Sequence, residues 1–455
     1  MAGKTNDEFD LLDRLFDELW PLPRSITGPG IERSLELISE HVPLEFEYFK
    51  SGSKVFDWTV PPEWNFRRAT LTGPDGKIVC DADDSNLHVL NFSVPVDVEI
   101  DLEDLEAHLH SLPNLPEEIP YVTSYYKPDW GFCLPHSQRQ RLRPGVYRAK
   151  IESSITDGRL PVGIATLPGV SEREVLITSY LCHPSLANNE LSGPLALVAL
   201  FHRIRLWEHR YYTYRFVLNP ETIGALCFLS RFSEHLRERL EYGLTLTCLG
   251  GPANSLRYKA SFGGLSVLDH AFKSMIGQDR GGKLSCRYES FSPLGGSDER
   301  QYGSVGFRLP MGQVARTVYG QYDGYHNSRD TKEFMSIASV LDSVDQIEEV
   351  LQAADCAEFP VNLCPYGEPQ LSRRNLYPSQ NSSATWNQSS DVKVEDRDFL
   401  NCVLMILALS DGRTPLHHIE ARCIDEIHCS AETVASAVDE LIKNDLLTLK
   451  KEVKR

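Results

Sequence analysis

Four short segments gather the residues that can do chemistry. In SYLCHPSLANNELSG an apolar run ends at His183, and Asn189 and Glu190 precede the Ser192-Gly193 pair that opens a helix. A histidine there can bind a metal or move a proton, because its pKa lies near neutrality. A lone histidine at a strand end is more often a packing residue, so the weight rests on the whole loop. FVLNPETIGAL places Glu221 at a second strand-to-helix junction, where a carboxylate is either a general base or simply a favourable charge at a helix N-terminus. SPLGGSDERQYG runs a Gly-Gly-Ser turn into Asp298, Glu299 and Arg300. That triplet reads equally as a substrate-positioning group or as an internal salt bridge fixing the loop. YGQYDGYHNSRDTKEF sets His326 among aromatic residues, with Asp330 and Thr331 placed to cap a following helix. Together the segments put two histidines and several carboxylates in an order that suits a metal hydrolase.

The elements that must carry these loops alternate. EVLITSYL, YRFVLNPE and LTLTCLGG read as buried strands; LSGPLALVALFHRIRL, TIGALCFLSRFSEHL, a stretch near Leu265–Met275 and Ser336–Ala353 read as helices. Such alternation predicts an α/β sheet covered by helices, with ligands at the carboxyl ends of strands. Upstream, Glu8–Val42 carries two helical segments around the turn PLPRSITGPG. The chain then becomes strand-like, and the aromatic, turn-rich YVTSYY and WGFCLP follow, so a β-rich inserted domain is expected over 56–154. The α/β domain is then discontinuous, 1–55 and 155–365. A linker is expected over 366–390, including the polar tract SQNSSATWNQSS, before a winged helix over 391–455.

Bulk properties exclude several classes. The chain has 455 residues, enough for two or three domains, and a formal net charge of -18, which repels nucleic-acid backbones and anionic membranes. The acidic start lacks the basic and apolar signature of a signal peptide, and the apolar runs are too short to span a bilayer. Eleven cysteines without a Cys-x-x-Cys pair suit reduced thiols. A cytoplasmic protein is expected, acting on a small molecule, with no nucleic-acid or membrane partner.

On CHPSLANNELSG, NPETIG, GGSDERQYGS, GYHNSRDT, LWPLPRSITGPG, NLHVLNFS, YVTSYYKPDWGFC and GEPQLSRRNLYP, the chain resembles the zinc aminopeptidase-like family of the di-zinc exopeptidase superfamily. Members of that family carry an inserted domain of unknown function and a C-terminal winged helix. The resemblance implies a phosphorylase/hydrolase-like mixed sheet flanked by helices, with Zn2+ held by residues at the positions of His183, Asn189 and His326. Asn189 departs from the pattern, since the metal-bridging residue there is an Asp. A neutral amide is a weaker zinc ligand than a carboxylate, and Pro220-Glu221-Thr222 and Leu246-Thr247-Cys248 do not supply the remaining acids of a second site. Three outcomes stay open: Glu190 replaces the lost carboxylate, one zinc is kept by His183 and His326 with weaker ligands, or the site is metal-free.

With one zinc, the expected activity is hydrolysis of an amide in a small peptide or amino-acid-derived substrate, in a biosynthetic setting. Glu221 would be the general base, and Asp298 and Arg300 would position a substrate amine or carboxylate. The alternative is acyl transfer or cyclisation on the same scaffold, since fold does not fix reaction. A DNA-binding regulator is the rival from another class. From Asp396 onward, however, there are 11 acidic and 8 basic residues, a poor balance for phosphate contact. The winged helix is therefore expected to make protein contacts, and a homo-oligomer is expected.

Overall fold

The computed structural model describes residues 2–276, 283–377 and 394–451. The apolar runs become an eight-stranded mixed sheet: β1 (Glu45–Lys50), β2 (Arg159–Leu167), β3 (Glu174–Tyr180), β4 (Thr213–Asn219), β5 (Leu240–Leu246), β6 (Ser255–Lys259), β7 (Ser285–Glu289) and β8 (Met311–Ala315). Their order is β1-β2-β4-β3-β5-β8-β6-β7. β3 runs parallel to β4 and β5, and β5 parallel to β8; β1, β2 and β4 alternate in direction at one edge.

Every residue of β3 is buried, because helices cover both faces of the parallel core, and this is why its sequence reads as one apolar run. Helix α1 (Ser192–Arg205) follows β3, and α2 (Ile223–Arg239) follows β4. Gly193 lets α1 begin hard against the sheet: a Cβ there would lie 2.3 Å from Ser179 Oγ and 2.7 Å from the Leu246 carbonyl oxygen. β4 and β5 flank β3 on opposite sides, so the chain changes direction across the sheet at the carboxyl end of β3. A crevice opens at such a switch point.

Between β1 and β2 the chain builds a separate antiparallel sheet, ordered Ile78–Asp81, Glu63–Thr72, Val146–Thr156, Val96–Asp101. Ala69, Leu71, Phe132, Ala149 and Ile151 form its own core. These two sheets belong to one compact unit, residues 1–263 with 277–349.

The second unit comprises Gly264–Ile276 and Val350–Arg455. Helices Val394–Leu409, Leu416–Ile427 and Ala431–Lys443 pack around Cys402, Val403, Ile406, Ile419, Val434 and Leu441. Strand Leu447–Lys450 pairs antiparallel with Phe359–Asn362, so a segment that the sequence places with the α/β domain supplies a strand to the winged helix. The tract Ser379–Ser390 lies outside the described residues. No helix among the described residues is long and apolar enough to cross a membrane.

One local expectation needs correcting. Asp330 and Thr331 do not cap the helix that follows them. That helix, α3 (Ile337–Asp355), starts later, and Ser336 Oγ accepts the N–H of Ser339 at 3.0 Å. The residues between are turns, which leaves the Asp330 carboxylate free for another task.

Candidate active site

His183 stands three residues past the end of β3 and is buried. Its Nδ1 lies 2.7 Å from Glu190 Oε2, while Glu190 Oε1 accepts the backbone N–H groups of Cys182 and His183, the latter at 2.9 Å. A single π-helical turn, Ala187–Leu191, brings Glu190 back across the strand end; such turns recur at functional sites. Burial alone would depress the imidazole, yet the contacts with Cys182 and Glu190 hold it well above its ordinary value. Arg24, fully buried, donates from Nε to the His183 carbonyl at 3.0 Å.

Asp330 performs its actual work on this loop. Its two oxygens accept the N–H groups of Asn188 at 2.7 Å and Asn189 at 2.9 Å. Burial pushes the Asp330 carboxyl up to about 6, against these two bonds. Asn188 is locked by its own side chain to Thr317 and Gly250. Asn189 is different: its Nδ2 is buried without a hydrogen-bond partner.

Glu221 faces the other edge of the His183 ring, with Oε2 3.8 Å from Nε2. Ser297 Oγ donates to Glu221 Oε1 at 2.5 Å. Burial pushes the Glu221 carboxyl up, opposed by His183 and Ser297. Next to it Thr222 adopts φ 62°, an outlier for a β-branched residue and the kind of strain that gathers at working sites. Asp298 holds this bend from beneath: it accepts from Thr222 N at 2.7 Å and from Asn219 Nδ2 at 2.9 Å. Burial and the Glu221 charge raise Asp298 to about 7. Both of its oxygens are occupied and the residue is fully buried, so the geometry places it as a support for the Glu221 bend.

The internal ion pair of this loop is made by Glu299, with Lys259, at 2.7 Å; Arg300 takes no part in it. Glu299 also accepts from Ser297 N at 2.8 Å and Gln313 Nε2 at 3.0 Å. Gly296 is required here, because its φ is 130° and a Cβ would lie 1.9 Å from Glu299 Oε1. Arg300 is half-buried and donates from Nε to the Ser297 carbonyl at 3.3 Å.

His326, at φ 57°, stacks on Tyr325 with ring centres 4.0 Å apart. Its centre is 5.3 Å from that of His183. Burial and the neighbouring His183 lower its pKa to about 3, and its Nε2 is buried without a hydrogen-bond partner. The inserted segment closes this side. Tyr121 donates its N–H to the His326 carbonyl at 2.9 Å, packs against both histidine rings, and shares a 2.5 Å hydroxyl–hydroxyl hydrogen bond with Tyr125.

The structure therefore brings His183, Glu221 and His326 together, with Asn189 on the π-helical turn held by Asp330, Asp298 under the Glu221 bend and Arg300 on the Ser297 loop. The sequence reading missed Tyr121, Tyr125, Ser297 and Arg24 as members of the site. YVTSYY and the Gly-Gly-Ser turn were visible signals, but no spacing rule connects them to His183. Cys182, His183 and Glu190 bring ligand-type atoms within 4.8 Å of one another. Glu190 lies against His183 Nδ1 and takes two backbone N–H groups, while His183 Nε2, 3.8 Å from Glu221 Oε2, and His326 Nε2, buried without a hydrogen-bond partner, are further ligand-type atoms of the site.

Residues 13–357 match the family described as Domain of unknown function (DUF4910), and residues 358–449 match a winged helix-turn-helix family. The chain belongs to the DUF4910 family. A Clostridium acetobutylicum relative, described as a candidate polysaccharide biosynthesis protein with an aminopeptidase-like domain, is 36% identical over 439 residues, 96% of this chain and 95% of its own. A solved Clostridium acetobutylicum structure, described as a candidate peptidase, matches this family member with a TM-score of 0.77 at 34% identity, covering 98% of this chain and 97% of that one. A zinc aminopeptidase from Bacillus subtilis matches with a TM-score of 0.53 at 13% identity, covering 75% of this chain and 95% of its own. At that identity the likeness shows the fold alone: an aminopeptidase-like mixed sheet flanked by helices.

Proposed function

We propose that the chain is a one-zinc amide hydrolase acting on a small peptide or amino-acid-derived substrate in a biosynthetic setting. The observation that carries this reading is the state of the two histidines. His183 has one nitrogen tied to Glu190 and the other turned toward Glu221, while His326 keeps a buried, unpartnered nitrogen on a ring 5.3 Å away, centre to centre. Metal-binding histidines commonly hold a carboxylate on the far nitrogen, which fixes the ring and raises its basicity. Glu190 fits that supporting role rather than the role of a substitute ligand. The donor set suits one ion and not two, because Asn189 offers no bridging charge.

His183 and His326 would hold the zinc, which when bound supplies polarisation of a carbonyl and acidification of water. Glu221 Oε2 takes a proton from the attacking water while Ser297 keeps Oε1 in place. The water oxygen bonds to the carbonyl carbon, the C–N bond breaks, and Glu221 returns the proton to the leaving amine. Tyr121 and Tyr125 cover the histidines and limit water access. The polysaccharide-biosynthesis description of the Clostridium relative supports the biosynthetic setting.

The test is dialysis of the full chain against a chelator, followed by a screen of peptide and N-acyl amino acid amides. Loss of hydrolysis on dialysis and its return with one equivalent of zinc per chain supports the reading. Hydrolysis or cyclisation that persists unchanged in the metal-stripped protein contradicts it.

A further inference from the structure

An aminopeptidase must recognise a free amine, which calls for an available carboxylate. Around this crevice the carboxylates are committed. Glu190 is bonded to His183 and two backbone N–H groups, Asp298 to Thr222 and Asn219, Glu299 to Lys259, and Asp330 to the Asn188 and Asn189 N–H groups. Glu221 is engaged by Ser297 and is needed as the base.

Arg300 shows the reverse. Its Nε reaches a carbonyl, and among the described residues no carboxylate lies within ion-pair distance of its guanidinium. It sits on the loop of Ser297, which holds Glu221, and within electrostatic reach of Tyr325, which stacks on His326. A half-buried guanidinium with unpaired N–H groups is a planar fork suited to an oxyanion.

We propose that the site selects a substrate carrying a free carboxylate close to its scissile amide, with Arg300 as the specificity-determining residue. The proposal rests on the amide-hydrolase reading above. A carboxylate is favoured over a phosphate dianion, because a single guanidinium on the loop that holds Glu221, in a chain of net charge -18, balances one negative charge and not two.

The experiment compares the wild-type protein with Arg300→Met on three sets of compounds. These are N-acetylglycine and N-acetylleucine, their carboxamides, and the amides of the free amino acids; an N-acetylated aminophosphonate adds the phosphate-like arm. The expected result is cleavage of the free acids, with KM at least about tenfold higher for the carboxamides and for the variant, and kcat changed by less than about threefold. The phosphonate should bind no better than the carboxamides. Preference for free amino acid amides overturns the proposal, as does equal KM for acid and carboxamide or tighter binding of the phosphonate. Calorimetry separates the two readings if no compound is cleaved. Binding of the N-acetyl amino acids that disappears in Arg300→Met keeps the selectivity and removes the hydrolase, whereas absent or Arg300-independent binding overturns the selectivity itself.

Discussion

At the scale of single residues, each charged group has a distinct task set by what it touches. Glu190 fixes His183 and closes two backbone N–H groups, so Glu190→Gln leaves the ring without its anionic partner. Zinc affinity should fall by about 10- to 100-fold, measured by competition with a chromophoric chelator; unchanged affinity would remove Glu190 from the account. The Ser297 hydroxyl acts on Glu221 through one hydrogen bond. Ser297→Ala should lower kcat by about tenfold, the worth of one bond to a charged group, while zinc content stays that of the wild type. These roles were unevenly legible in the sequence. His183, Glu221 and His326 stood out because they end strands or interrupt aromatic runs. The capping role expected of Asp330 failed because its partners, Asn188 and Asn189, are far away in sequence. Nothing in local spacing distinguishes Asp298, buried under Glu221, from Arg300, which is not.

Elements decide whether those residues meet. β3 and β4 end side by side, and the turn Gly295-Gly296-Ser297 delivers a hydroxyl to Glu221 only because Gly296 can adopt its backbone angle against the Lys259–Glu299 pair. Gly296→Ala should therefore destabilise the fold by about 1–3 kcal/mol, read from urea unfolding. A second prediction belongs to helix Val267–Ser274 of the other unit. Burial, then His418, push His270 down to about 4, and the two rings lie 4.4 Å apart. An unfolded histidine titrates near 6.5, so between these values the unfolded chain binds the extra proton. The stabilising difference is present above about pH 6.5 and is lost as pH falls toward 4, on the order of 2 kcal/mol. The urea midpoint of this unit should drop between pH 7 and pH 4.5, and His270→Phe should shrink that drop. The strands were readable because parallel-sheet burial leaves unbroken apolar runs. The pairing of Phe359–Asn362 with Leu447–Lys450 was not, because the two are separated by most of the winged helix.

For the whole molecule, an aminopeptidase-like sheet carries a β-rich insert between β1 and β2 and, in the second unit, a winged helix. The insert reaches the crevice through Tyr121 and Tyr125. Tyr121→Ala should open the histidines to water and reduce kcat/KM while leaving the far-ultraviolet circular dichroism of the protein unchanged. The acidic composition after Asp396 predicts no retardation of random duplex DNA in a gel-shift at low salt; strong retardation would bring back a regulatory reading of the tail. The architecture was legible because many ordered motifs point to one family. The state of the metal site was not, because a single amide at Asn189 changes the ligand set without changing the fold.

Elemental analysis of the purified full chain, beside His183→Ala and His326→Ala variants shown by circular dichroism to be folded, tests the central claim most directly. The account predicts close to one zinc per wild-type chain and a large loss in both variants. Metal-free wild-type protein, two zinc ions per chain, or zinc that survives both substitutions would contradict it.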